Sequence, residues 1–446
     1  MADSAEIFAA VERELPGVRE TLAELIRIPS ISSDPDHVAD VRASAEFVAR
    51  QLREVGCPEV EIISEGGGKP AVLGRFPAPA GQPTITLYSH HDVQPTGLEE
   101  SWTSAPFDPT QRGERLFARG AADDKGGIGV HLAALRAWAG KPPIGVTVFI
   151  EGEEEIGSPT LDQILDKHGD KLACDVFLIC DSGNWQVGTP AFTTSLRGMG
   201  DITVEVATLD HAVHSGQYGG VAPDALMTLV RLLATLHDDR GRVAVAGLTS
   251  SAGPELDYSE ERVREEIGVL DGVELIGDGS LTDRMWMKPS LSIIGIDTTS
   301  VAKASNTLIP SARAKMSLRI APGQSAPEAM QLVADHLRAH APWGARVTVT
   351  LGDYGNPFVT PLTGPYAGTA RQVWAEAWGV EPVEMGLGGS IPLAQDFADR
   401  FPAATVLLTA VVDPDSRMHG IDESLHLGDF ARACRAEALL LGRLAR

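Results

Sequence analysis

Histidines and carboxylates recur in this chain where apolar segments end. His90 and Asp92 close the run Leu87-Tyr88-Ser89-His90-His91-Asp92, and on the two-residue period of a strand they face one side while His91 faces the other. That spacing suits an imidazole that ligates a metal through one ring nitrogen while Asp92 fixes the other, an arrangement that sets the tautomer and raises basicity; a polar strand end is the alternative. Asp123 and Asp124 stand in Arg119-Gly120-Ala121-Ala122-Asp123-Asp124-Lys125-Gly126-Gly127, where acids at a helix start also simply complement the helix dipole. In Glu151-Gly152-Glu153-Glu154-Glu155 four carboxylates follow the apolar run 146–150. Crowded anions raise one another's pKa unless a cation compensates, or else the loop is solvated. Asp181 follows the apolar run 176–180, and His419 lies in Ser416-Arg417-Met418-His419-Gly420. Together these are the mixed nitrogen and oxygen donors of a dinuclear zinc-type hydrolytic centre.

Such residues need a scaffold that ends several strands together. Helical periodicity at Phe8, Val11, Leu15, Leu22, Leu25 and Ile26, with a break expected near Pro16, is followed by a second helical stretch over 38–55. Strands are expected at 71–76, 84–88, 146–150 and 176–180, with a helix over 126–139. This alternation predicts an α/β domain, a mixed sheet covered by helices, whose ligand sites lie at strand ends. From about residue 199 the rhythm changes to strands at 200–207, 290–296, 312–320 and 346–351, helices at 222–237 and 327–340, and an acidic segment at 255–283. The expected division is a catalytic domain over 1–198 and 354–446, with a smaller α+β lid or dimerisation domain inserted at 199–353. The returning part holds a helix at 367–377, a strand at 404–408 and a closing helix at 430–444.

Composition excludes other classes. With 446 residues, 43% of them apolar, the chain exceeds one small module. Its 37 Lys+Arg against 61 Asp+Glu leave a net charge of −24, which repels nucleic acid and acidic membrane surfaces. The four cysteines are scattered, without CxxC pairs or the density of a disulfide scaffold. No stretch approaches the ~18 apolar residues of a membrane span, so a cytoplasmic protein is expected. Neither a GxSxG elbow nor a cysteine with a histidine nearby in sequence suggests a covalent nucleophile.

The ordered set of segments resembles the M20 family of metallopeptidases, and within it the cytosolic dipeptidase and carnosinase-like branch. It comprises Ile26-Arg27-Ile28-Pro29-Ser30-Ile31-Ser32, Tyr88 to Pro95, Asp123 to Gly126, Glu151 to Glu155, Leu196-Arg197-Gly198, His214 to Gly220 and Gly388-Gly389-Ser390-Ile391-Pro392, nearly the whole chain. The resemblance implies that His90, Asp123 and Asp181 hold one divalent ion and Asp123, Glu155 and His419 a second. Asp123 then bridges, Glu154 is the general base, and Zn2+ is expected, with Mn2+ or Co2+ as alternatives. It also implies a cis peptide between Asp123 and Asp124. Two divalent ions against the carboxylates of Asp123, Glu155 and Asp181 leave one positive charge for a bridging hydroxide, and such a site lowers the pKa of water from ~15.7 toward ~7. The implied reaction is hydrolysis of the amide bond of dipeptides or short peptides.

The same resemblance gives His214 a role across a homodimer interface, polarising the substrate carbonyl in the partner's site. Arg319, which alternates with apolar neighbours, faces away from them and suits a clamp on a peptide carboxylate; Gly389 and Ser390 could donate backbone N–H groups to the same anion. A surface arginine and a tight turn are the alternatives. Where the branch often has a charged residue just before Gly-Gly-Ser, this chain has Gly386-Leu387. That departure keeps open an N-acyl-amino-acid deacylase or related amidohydrolase, and beyond it a non-catalytic metal-binding scaffold.

Overall fold

The structure, a computed structural model, describes residues 3–389 and 391–445. Its first helix, Ser4–Ile26, begins where the Asp3 side chain accepts from the Ala5 backbone N–H, and it buries Ile7, Val11, Leu15, Val18, Leu22, Leu25 and Ile26 along one stripe. The break expected at Pro16 does not occur, and the helix runs through it. Proline removes one backbone hydrogen bond at a cost of ~3 kcal/mol. Pro16 lies on the exposed face, while each large apolar side chain buried on the other face contributes ~1.5–3 kcal/mol. Packing against the helices Lys125–Ala137 and Leu427–Leu444 therefore outweighs the local defect.

By contact clustering the chain forms two compact units. The first comprises Met1–Thr194, Thr360–Met385 and Pro392–Arg446. Its six-stranded mixed sheet runs in the order Glu59–Ile63, Ala71–Phe76, Gly145–Glu151, Thr84–His90, Val176–Gly183, Thr405–Val412. The last four strands are mutually parallel and the first two pair antiparallel. Both faces are covered, as the apolar runs predict. Ile85, Leu87, Val146, Val148 and Leu178 face the core built by the three helices above. On the other face Tyr88, Phe149, Phe177 and Phe397 form an aromatic cluster, and Thr86 donates to the last carbonyl of the helix Leu161–Leu172. Parallel strands end on one side, so the loops after His90, Glu151 and Val412, and Asp181 near its strand's end, gather there.

The second unit comprises Ser195–Val359 and Gly386–Ile391. Its four-stranded antiparallel sheet has the order Ser290–Asp297, Ser311–Ile320, Gly198–Ala207, Arg346–Gly355. The helices Ala225–Ala234 and Ala326–Ala339 pack on one face only. Hence Ala312, Ala314, Met316, Leu318 and Ile320 are buried while Arg313, Lys315, Ser317 and Arg319 lie on the other face, the alternation of a half-covered sheet. The acidic stretch contains one short helix, Glu260–Ile267, opened by the Ser259 hydroxyl and stopped by Gly268 at φ 64°.

Candidate metal centre

His90 is the last residue of the strand Thr84–His90, and Glu154 and Glu155 follow its parallel neighbour Gly145–Glu151. Asp181 belongs to the strand Val176–Gly183, Asp123 precedes the helix Lys125–Ala137, and His419 lies in the loop after Thr405–Val412. These six side chains converge within the first unit. His90 Nε2 is 3.2 Å from Asp123 Oδ1 and 3.7 Å from Asp181 Oδ1. His419 Nε2 is 3.0 Å from Asp123 Oδ2 and 3.2 Å from Glu155 Oε2. Asp123 thus turns one carboxylate oxygen to each imidazole, the disposition of a bridging ligand. Two ligand sets form, His90 with Glu154 and Asp181, and His90 with Asp123 and Glu155, each with its donor atoms within 4.8 Å of one another. Glu154 therefore stands beside the donors as well as among them.

The electrostatics fit a divalent cation. Burial, and then the Asp181 charge, push Glu154 well above the usual carboxylate range; burial and the Asp123 charge raise Glu155. Burial also raises Asp181 despite His90. For Asp123 burial is opposed and outweighed by His419 and His90, which hold its pKa below the usual range. The Asp123 and Glu155 carboxylates in turn push His419 up to about 10. Two imidazoles beside four crowded, largely buried carboxylates mark a site short of positive charge, and the mixed nitrogen and oxygen donors suit a divalent transition ion.

Neighbouring residues hold these ligands in place. His90 Nδ1 lies 3.0 Å from the Asp92 carbonyl oxygen and 3.4 Å from its carboxylate, so the ring is oriented mainly by the backbone of Asp92 and not, as expected, by its side chain. The Asp92 carboxylate instead accepts from the backbone N–H groups of Glu154 (3.3 Å) and Glu155 (3.1 Å), tying their loop to that of His90. His91 turns away and bonds Pro70 O at 2.8 Å, the structural place expected for it. The Asp123–Asp124 peptide is cis, as the resemblance implies. Asp124 Oδ2 accepts from the His90 backbone N–H at 3.2 Å. A Cβ on Gly127 would lie 2.4 Å from Ser89 Oγ and 2.8 Å from Cys180 O, so glycine is what lets this helix start approach the strand ends.

Sequence reasoning missed two such residues. Glu423, fully buried, accepts from the backbone N–H groups of Gly120, Ala122 and Asp123 at 3.0–3.1 Å and from Arg119 Nη1 at 2.6 Å. One carboxylate thereby fixes the loop of Asp123 to the segment that carries His419. The only sequence signal was its place four residues after His419. Gln94 donates to Glu155 through its backbone N–H (3.1 Å) and through Nε2 (2.8 Å). His419 itself sits at φ 62°, left-handed for a residue with a Cβ, as do Arg417 and Asp422 in the same loop.

The remaining expected site residues belong to the other unit. His214 is exposed, and its Nδ1 accepts from the Gly216 backbone N–H at 3.1 Å. Arg319 lies on the open face of the sheet, and Gly389 follows Gly388, whose carbonyl accepts from Arg197 at 3.4 Å. Ser390 lies outside the described residues.

The sequence model of Peptidase family M20/M25/M40 matches residues 86–443. The chain is 37% identical over 429 residues to a cysteinylglycine-S-conjugate dipeptidase of Corynebacterium striatum, covering 95% of this chain and 94% of the relative. It is 26% identical over 450 residues to a Beta-Ala-His dipeptidase of Homo sapiens, covering 95% and 85%. Among solved structures, the di-peptidase Dug1p of Saccharomyces cerevisiae superposes with a TM-score of 0.85 at 25% identity, covering 99% of this chain and 98% of that one.

Proposed function

This chain belongs to peptidase family M20/M25/M40, and from that membership we propose that it is a dinuclear metal-dependent dipeptidase. The observation that carries the reading is Asp123, one carboxylate turned to two imidazoles, with Asp181 on one side and Glu155 on the other. His90, Asp123 and Asp181 would hold one ion, and Asp123, Glu155 and His419 the other, Zn2+ being our choice of metal. Bound there, two divalent ions would acidify water and polarise the scissile carbonyl.

The protein's own residues do the rest. Glu154, whose proton affinity burial raises, accepts the proton of the attacking water and returns it to the leaving amine. Asp92 keeps the loop of Glu154 and Glu155 at fixed distance from His90, and Glu423 does the same for Asp123. No side chain need form a covalent bond to substrate. In the second unit Arg319 would take a peptide carboxylate with Gly389, and His214 would polarise the substrate carbonyl from a second subunit of a homodimer. The free thiols of Cys57, Cys174, Cys180 and Cys434 support a reducing, cytoplasmic setting.

The test is hydrolysis by the metal-reconstituted enzyme of a panel of dipeptides, tripeptides and N-acyl amino acids. Dipeptides are expected to be cleaved with the highest kcat/KM. Preferential cleavage of N-acyl amino acids would make the chain a deacylase on the same centre, and bound metal without any amide hydrolysis would leave it a scaffold.

A further inference from the structure

One buried polar chain runs beside the metal centre without supplying a ligand to it. His131 stands on the helix Lys125–Ala137 and Glu437 on the helix Leu427–Leu444, each only 1% exposed among buried apolar neighbours such as Val130, Leu132, Ala436 and Ala438. A carboxylate accepts, so His131 Nδ1 donates to Glu437, whose two oxygens lie at 2.8 and 3.0 Å. That pins the ring. Its Nε2 then lies 3.1 Å from Ser89 Oγ and 3.1 Å from Tyr88 O, so the imidazole grips the two residues that immediately precede the ligand His90.

The grip falls where the sheet lets go. The ladder from the strand Thr84–His90 to Gly145–Glu151 continues through His90, whereas its ladder to Val176–Gly183 ends at Tyr88. From Ser89 onward the strand is therefore paired on one side only, and the helix that carries His131 takes over on behalf of the sheet. Net stabilisation does not account for the pair. Withdrawing a histidine and a carboxylate from water costs about as much as their attraction returns, and apolar side chains of similar volume would pack at least as well. What apolar side chains do not supply is a directed bond at a fixed place.

We propose that His131, oriented by Glu437, is a positioning residue that fixes the Tyr88–Ser89 segment and thereby the placement of His90 as a metal ligand. The proposal rests on the reading of His90 as a ligand and is independent of the substrate. Ring orientation passes from Glu437 to His131, from there to Ser89 and Tyr88, and through the backbone to His90, so one helix near the end of the chain sets the geometry of one ligand.

The experiment titrates the metal-free full chain with Co2+ and follows visible absorption, whose bands report ligand geometry. Ser89→Ala and Glu437→Gln bracket His131 without opening a cavity at its ring. Each should weaken Co2+ affinity by about tenfold and alter the bands, the scale of effect for a group that orients a ligand. The double variant should bind no more weakly than the weaker single one, because both substitutions cut the same chain. Thr86→Val is the control. It removes the buried bond from Thr86 Oγ1 to Leu172 O (2.8 Å) on the same strand, and it should lower the thermal midpoint while leaving Co2+ affinity and bands as in the wild type. Should Glu437→Gln fail to fold, Ser89→Ala, the loss of a single oxygen, decides alone. Wild-type affinity and bands in Ser89→Ala, fully additive losses in the double variant, or an equal loss in Thr86→Val overturns the proposal. A wild type that binds no Co2+ overturns the metal-centre reading and this proposal with it, an outcome distinct from a wild type that binds and variants that match it.

Discussion

The two units crowd like charges of opposite sign in opposite settings. In the first, Asp123, Glu154, Glu155 and Asp181 meet where parallel strands covered on both faces come to an end, and two imidazoles are their counter-ions. In the second, arginines and a lysine line the open face of an antiparallel sheet, where Arg313 and Lys315 find acids, Asp297 and Asp201, across the strands and Arg197 and Arg319 have none among the described residues. A net charge of −24 foretells neither pattern. Arg313 and Lys315 each have an acid of their own, whereas the four carboxylates share two imidazoles.

The hardest blow to this comparison would fall on Asp123. If the crowded carboxylates await cations, Asp123→Ala should bind neither metal firmly and show no detectable turnover, because both proposed ligand sets share this residue. Two metals retained in elemental analysis would mean that the crowding has another cause. Glu154→Gln separates ligation from proton transfer: kcat should fall by roughly 10²–10⁴ while two metals per chain remain. Wild-type turnover in that variant would remove Glu154 from the role of base.

A smaller effect is expected one step further out. Glu423→Gln keeps the shape but removes the charge that Arg119 and three backbone N–H groups share, and it should weaken metal affinity by roughly ten- to a hundredfold. Metal titration that matches the wild type would show that the Asp123 loop holds its geometry unaided. At the other end of the scale, Asp297→Asn breaks a pair whose side chains are 61% and 66% exposed, and the thermal midpoint should not measurably move. A clear loss of stability there would erase the contrast, since the paired cations of the sheet face would then matter as much as the buried anions.

Much of the centre could be read in advance because strand ends are visible in sequence. Each of His90, Glu155, Asp181 and His419 trails an apolar run, and continuous apolar runs mark buried parallel strands, whose carboxyl ends share one side of a sheet. Arg319 was legible for a related reason, since alternation along a half-covered strand states which face each residue takes. Pro16 misled because a local rule, the missing N–H, was weighed without the stripe that buries the helix on both sides of it. Asp92 lies beside His90, but its carboxylate went to the Glu154 and Glu155 loop, a choice among near partners that spacing does not rank.

The order of acids and histidines, the periodicities of strand and helix, and the resulting α/β class were determined by the sequence alone, because they are properties of neighbours along the chain. Only the tertiary structure decided that Glu423 would cap the loop of Asp123, a residue 300 positions away, and that Arg197 would meet Arg319 across Ser290. Long-range pairings of this kind depend on which loops the sheet order brings together and on which polar groups burial leaves in need of a partner. Neither quantity exists until the chain has closed on itself.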